Sequence, residues 1–209
     1  MPGDAARMEE GSTIGAFYLW KFAGFDEDGN FLLYNKDGEV IPAAQKTEAD
    51  KRYMGNYIPK VMLGWNNSFM YKNFDLNINM RSWIKFDVYN MINMYFGIQG
   101  IDECNVLKDA YGKFNHIRGE KQICDYYLED GTFLKIDAIS LGYSLSLKNY
   151  CKWVDRFRIY ATVGNVCMFT KYSGVNPEVD IAGWDKGTER FDGLYPLVRT
   201  YTLGLQLTF

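Results

Sequence analysis

Few residues in this chain have the types and spacing that chemistry requires. His116 is the single histidine, and no nucleophile motif accompanies it, so neither a Ser-His-Asp nor a Cys-His set can be assembled. Glu129 and Asp130 are adjacent carboxylates. Neighbours on a strand point to opposite faces, so the two do not converge as an acid–base pair. Asp26-Glu27-Asp28-Gly29-Asn30 carries oxygen ligands in the manner of a calcium loop. Such a loop needs Gly at the sixth position and an acidic ligand at the twelfth. Counted from Asp26, those positions hold Phe31 and Asp37, so the segment reads as a polar turn. The cysteines Cys104, Cys124, Cys151 and Cys167 lack metal-ligand spacing. Cys104 and Cys124 fall in one predicted loop and could close a disulfide in an oxidising compartment; four unrelated thiols is the plainer reading. The expectation is a protein that is not an enzyme, with no catalytic residues, metal centre or cofactor.

Charge narrows the class further. A net charge of −3 gives no basic field for nucleic acid. Aromatic residues make up 17% of the chain, with 16 Tyr and 14 Phe, and these are strand formers. No stretch approaches the roughly 18 apolar residues of a transmembrane helix. Ile14 to Trp20 is a short, mostly apolar run that ends at Lys21, and residues 1–11 contain no apolar core of a signal peptide.

The informative pattern is alternation. Tyr201, Leu203, Leu205, Leu207 and Phe209 are apolar at every second position, with Thr200, Thr202, Gly204, Gln206 and Thr208 between them. Period 2 places one set on each face of a strand. Five earlier segments, residues 13–24, 59–71, 73–87, 132–147 and 155–169, alternate in the same way. They are longer than the usual globular strand of about 5–6 residues, and long enough for a tilted transmembrane strand of roughly 9–11. The connections sort by length. Residues 25–58, 88–131 and 170–197 are long, whereas Lys72-Asn73 and residues 148–154 are short. In an up-and-down meander all the long connections then fall on one side of the sheet, as extracellular loops do on outer-membrane barrels.

Lysines and arginines follow the same logic. Lys21, Arg81, Lys85, Arg156 and Arg158 lie on the polar phase, and a cation facing lipid at mid-depth costs roughly 2–4 kcal/mol. Lys135 and Asp137 lie on the apolar phase but near the outer end of their strand; Asn67 and Asn165 are also on the apolar phase, for which a register-shifting β-bulge is one explanation. Trp20, Trp65 and Trp153 sit near predicted strand ends, where an interfacial aromatic girdle suits them. In the loops, Tyr172, Trp184, Phe191 and Tyr195 could stack on a sugar or meet a partner; packing among the loops is the simpler role. The fold class expected is all-β: six antiparallel strands of a transmembrane β-barrel with long extracellular loops. Six strands are fewer than the 8 of the smallest such barrels, so the stretch is not expected to act alone. The alternative is a soluble or surface β-sandwich that binds glycans.

Several blocks resemble one family. They are Ile14-Gly15-Ala16-Phe17-Tyr18-Leu19-Trp20, Met54-Gly55-Asn56-Tyr57-Ile58-Pro59-Lys60 and Tyr71-Lys72-Asn73-Phe74-Asp75-Leu76. Tyr127-Leu128-Glu129-Asp130-Gly131-Thr132-Phe133-Leu134-Lys135, Ile139-Ser140-Leu141-Gly142-Tyr143, Arg158-Ile159-Tyr160 and Phe169-Thr170-Lys171-Tyr172-Ser173-Gly174 follow, and then Asn176-Pro177-Glu178-Val179 and Tyr195-Pro196. In this order they resemble the C-terminal part of a TonB-dependent receptor of the SusC/RagA kind, across residues 1–209. The strand ending on Phe209 resembles the signal read by the outer-membrane assembly machinery. The resemblance implies a 22-stranded barrel in the outer membrane of a Bacteroidetes-type bacterium. It implies a SusD-like lipoprotein partner, coupling to TonB, and uptake of oligosaccharides or peptides. It also implies a plug domain and signal peptide, neither of which is present in these residues.

Overall fold

Long alternating segments need a sheet with two unlike faces, and short apolar runs need a core of their own; the chain builds both. The computed structural model describes residues 5–7, 9–99, 105–147, 153–182, 186–190 and 195–209. In chain order, the strands begin with β1 (Phe17–Leu19), β2 (Lys21–Phe25), β3 (Phe31–Tyr34), β4 (Val40–Pro42) and β5 (Arg52–Met54). The long strands β6 (Val61–Tyr71) and β7 (Phe74–Ile84) follow, then β8 (Asp87–Asn90), the helix α1 (Met91–Phe96) and β9 (Leu128–Asp130). Strands β10 (Phe133–Ser146), β11 (Arg156–Thr170), β12 (Thr188–Glu189) and β13 (Thr200–Thr208) complete the order. Among the described residues no helix is long and apolar enough to cross a membrane.

Two compact units share these elements. The wall unit comprises Val61–Ile84, Thr132–Lys171 and Pro196–Phe209. Its five strands run antiparallel in the order β13-β11-β10-β7-β6. Register aligns the alternation across all five strands. One row reads Leu203, Ala161, Leu141, Leu76, Phe69 on one face; the next row on the other face reads Thr202, Thr162, Ser140, Asn77, Ser68. Val61, Ile84, Phe133, Thr170 and Thr200, which lead to the long connections, all mark the same end of the sheet. The tight turn at the opposite end puts Lys72 in the left-handed region, with φ of 55°.

Only five of the six expected wall strands are present. Residues 13–24 belong instead to the second unit, where β1 pairs with β5 and β2 with β3. Phe17 and Leu19, on the phase read as polar, are 0% exposed, while Ala16 and Trp20 on the other phase are also buried. A segment buried on both faces cannot line a membrane wall. Trp20 is correspondingly not a girdle residue. Its Nε1 donates to the Thr47 carbonyl at 2.8 Å, and Lys46 and Lys51 place their ammonium groups 5.0 and 4.2 Å from its ring centroid.

A bulge resolves most of the misplaced polar residues. Pairing of β10 with both neighbours shifts between Ile136 and Ala138, and Asn165 on β11 adopts φ of 50° there. Asn tolerates that conformation better than most residues. Beyond the shift Ile136 pairs with Met80, so Lys135 joins Arg81 on the polar face. Asp137, the extra residue, forms ion pairs with Arg81, 3.1 Å from its Nε, and with Lys135, 3.7 Å from its Nζ. Asn67 stays in regular register opposite Ile78, and the bulge does not explain it.

The second unit comprises Met1–Lys60, Lys85–Gly131 and Tyr172–Tyr195. Its sheets are β1-β5, β2-β3-β4 and β12-β8-β9, with β12 parallel to β8. Phe17, Leu19, Phe31, Leu33, Tyr89, Met94, Ile117 and Tyr127 form its core. Expected as loops, these segments are therefore a folded body.

Candidate functional site

The wall sheet carries the first candidate surface. Tyr201, Leu203, Leu205, Leu207 and Phe209 are exposed, Tyr201 and Leu203 at 74% and 73%. Cross-strand neighbours Leu141, Ile159, Phe69, Tyr71 and Phe74 are exposed on the same face. An apolar face this continuous marks a surface meant for an apolar neighbour. Trp65 and Trp153 are exposed as well.

The opposite face is polar and internally bonded. Arg158 donates to Asp75 through Nε at 3.2 Å and Nη2 at 2.6 Å, a two-point pair across the intervening strand. Gly142 lies beneath it; a Cβ there would come within 2.5 Å of Asp75 Oδ1 and 2.6 Å of Arg158 Nη2. Thr162 Oγ1 donates to Ser140 Oγ at 2.8 Å and Ser68 Oγ to Asn77 Oδ1 at 2.6 Å. The face offers water or a solute hydroxyls and amides, with its main charges already paired.

The folded loops carry the second candidate surface. Tyr172 is buried, and its hydroxyl donates to Glu189 Oε2 at 2.7 Å. Its role is packing inside the loop unit. Tyr195 is exposed, whereas Trp184 and Phe191 lie outside the described residues. Two carboxylates organise this region. Glu189, fully buried, also accepts from the Val175 and Asn176 amides at 3.1 and 2.6 Å. Burial, more than any neighbour, pushes its pKa up, and burial beside Glu189 raises that of the Tyr172 hydroxyl. Glu129 accepts from the Ser173 amide and hydroxyl at 2.8 and 2.7 Å and from Asn90 Nδ2 at 2.9 Å. Asn90 in turn caps α1, accepting from the Asn93 amide at 2.9 Å. The pair pins residues 172–176 to β8, β9 and β12. No spacing rule points to Glu129 and Glu189; only the folded loops bring them together.

The other candidates have local roles. Asp26 accepts from the amides of Asp28 and Asn30 at 3.0 and 2.8 Å and from Asn30 Nδ2, which holds its carboxyl below the usual range. The turn packs closely: a Cβ on Gly29 would lie 2.2 Å from the His116 carbonyl. The His116 ring meets Phe25 edge-on with centroids 4.8 Å apart. Cys124 is a buried free thiol whose pKa burial pushes up to about 12; Cys167 is also free, and Cys104 and Cys151 lie outside the described residues. Among the described residues no cluster of His, Cys, Asp and Glu could hold a metal.

The chain matches no protein-family model. It is 27% identical over 228 residues to the TonB-dependent receptor P3 of Formosa agariphila, covering 97% of this chain and 23% of that protein. It is 28% identical to the TonB-dependent receptor SusC of Bacteroides thetaiotaomicron, covering 95% of this chain and 20% of SusC. The TonB-dependent receptor P39 of Formosa agariphila is 33% identical, with 97% and 26% covered. The chain thus spans about a quarter of the length of these relatives. Among solved structures, the RagAB peptide importer in its open-open state superposes with a TM-score of 0.73 at 20% identity, covering 97% of this chain and 24% of the other. Another structure of the RagAB peptide transporter gives 0.71 at 20% identity, covering 93% and 23%. These structural likenesses establish the fold.

Proposed function

We propose, from the premise that this chain is a relative of the TonB-dependent receptors of the SusC/RagA kind, that it supplies part of the wall and folded outer loops of an outer-membrane nutrient importer. The observation that carries the reading is the bare apolar face of the wall sheet set against a polar, hydrogen-bonded reverse. In a bilayer only closed barrels let strands satisfy every backbone group, so β6 and β13, each paired on one side here, are edges that further barrel strands complete. The apolar face meets lipid, the polar face lines the lumen, and the end with the long connections faces outward. The exposed terminal strand is what the assembly machinery would engage.

The finer reading follows the resemblance. Uptake is of oligosaccharides or peptides, with a SusD-like lipoprotein over the outer loops and energy supplied through TonB. Tyr195, with Trp184 and Phe191, supplies the loop aromatics for ligand or partner. A β-sandwich is disfavoured because the apolar face of the wall sheet stays open instead of packing on a second sheet.

The test is uptake in the native bacterium. Disrupting this coding region should abolish import of one oligosaccharide or peptide class and leave outer-membrane integrity intact. Unchanged import of every class tried, with the product recovered in the soluble fraction, would sink the proposal.

A further inference from the structure

Below the bulge, Tyr160 is the one aromatic side chain on the polar face of the wall among the described residues. Its row across the sheet reads Gly204, Tyr160, Gly142, Asp75, so a glycine lies on either side of it. A Cβ on Gly204 would come within 2.2 Å of Tyr160 Cζ and 2.5 Å of its Cε1 and hydroxyl. The far end of the ring therefore occupies the space above Gly204, leaning along the sheet instead of standing out from it. On the other side Arg158 reaches over Gly142 to Asp75, and its guanidinium carbon sits 5.0 Å from the Tyr160 ring centroid. One ring and one ion pair are thus laid side by side, each over the glycine that makes room for it.

The ion pair occupies two of the guanidinium's five donors and two of the carboxylate's roughly four acceptor sites. Donors and acceptors both remain beside the ring. Thr202 and Gln206, exposed and next in phase on either side of Gly204, add a hydroxyl and an amide. A sugar ring has an apolar C–H face and a fringe of hydroxyls that donate and accept. The negative π face of a tyrosine suits the first, and the carboxylate, guanidinium and amide suit the second. A peptide would be held through its termini or charged side chains, and here cation and anion already match each other.

We propose that Tyr160, Asp75 and Arg158 form a binding site for a neutral saccharide on the polar face of the wall. The site rests on the reading above that this face lines the lumen, and it deepens that reading by selecting oligosaccharide over peptide at this place.

The full chain, folded into phosphatidylcholine vesicles, is titrated calorimetrically with four neutral hexasaccharides and with an uncharged hexapeptide of serine and glycine. The saccharides are built from α-linked glucose, β-linked glucose, mannose and xylose. At least one saccharide should bind, and the peptide should not. Tyr160→Ala should weaken that saccharide about five-fold, and Gly204→Ala, which displaces the ring while removing nothing, should weaken it too. Asp75→Asn combined with Arg158→Gln, which leaves neither charge unpaired, should weaken it about ten-fold. Tyr160→Phe keeps the platform and should retain binding, and Lys36→Gln, an exposed lysine of the loop unit, should leave it unchanged. Binding of none of the four saccharides, binding that survives Tyr160→Ala, or equal binding of the peptide would overturn the site. The wall is checked separately in the same vesicles: brominated lipid should quench the added tryptophan of Leu203→Trp and spare that of Thr202→Trp. That pattern without saccharide binding would overturn the site and leave the wall intact, whereas the reverse pattern would overturn both.

Discussion

The Arg158 guanidinium grips the Asp75 carboxylate directly over Gly142, with Nη2 2.6 Å from Oδ2. Both side chains are mostly covered, at 26% and 21% exposure, so the pair is screened less than a surface ion pair. A double-mutant cycle with Asp75→Asn and Arg158→Gln should return a coupling of about 1–2 kcal/mol by denaturant titration. Gly142→Ala should displace the same two groups and lose a similar amount. Additivity of the two single changes would show that the pair contributes nothing.

The faces of β13 should respond oppositely to charge. Leu203→Arg places a cation on the apolar face and should cost about 2–4 kcal/mol of membrane stability. Thr202→Arg, one residue away on the polar face, should cost far less. Equal losses in refolding into detergent or lipid would mean the face assignment is inverted or irrelevant.

Glu189 gives the loop unit a defined pH response. Its folded pKa is raised above the ordinary value of 4.5, chiefly by burial. Folding therefore favours its protonated form. Its contribution to stability is complete below the unfolded pKa and is lost as pH rises through the folded one. Asp87 and Asp125, also raised mainly by burial, act in the same sense. Thermal melts of the loop unit should fall as pH climbs from about 4.5, and Glu189→Gln should flatten that slope. An unchanged slope would place the response elsewhere.

Phe17 and Leu19 distinguish a core from a lipid-facing wall. Each is fully buried in the loop unit, so Phe17→Ala or Leu19→Ala should destabilise it by about 2–5 kcal/mol. A change of a few tenths would restore residues 13–24 to the wall.

Cys124 should resist thiol reagents in the folded chain, because its sulfur is buried and its pKa lies near 12. Labelling should begin only as the loop unit unfolds. Rapid modification under native conditions would contradict the core packing around it.

The five wall strands were legible because register preserves the period of 2 over nine or more residues. The first expected strand misled because Ile14 to Trp20 alternates and is also almost continuously apolar. The continuity was the better guide, since it is what two-sided burial requires. Lys135 and Asp137 looked misplaced until the bulge at Asn165 reset the phase; no residue type announces such a shift with certainty. Glu189 was invisible, and Glu129, weighed only as a neighbour of Asp130, gave no sign of the role it plays. Buried carboxylates carry no periodic mark, and their partners Asn90, Tyr172 and Ser173 come from distant segments. Trp20 was read from its distance to a strand end, whereas its two lysine neighbours come from the next loop.

The Gly187 carbonyl accepts a hydrogen bond from the Tyr89 amide at 2.8 Å, and a Cβ on Gly187 would strike Tyr57 and Phe17. One small residue near the end of the chain thus seats against residues from two earlier segments. The loop body cannot close its core until about nine-tenths of the 209 residues have been made available. Contacts this distant in sequence form slowly. A body built this way stays open until its last segment is in hand, and its core closes as a single late event instead of growing outward from either of the earlier segments.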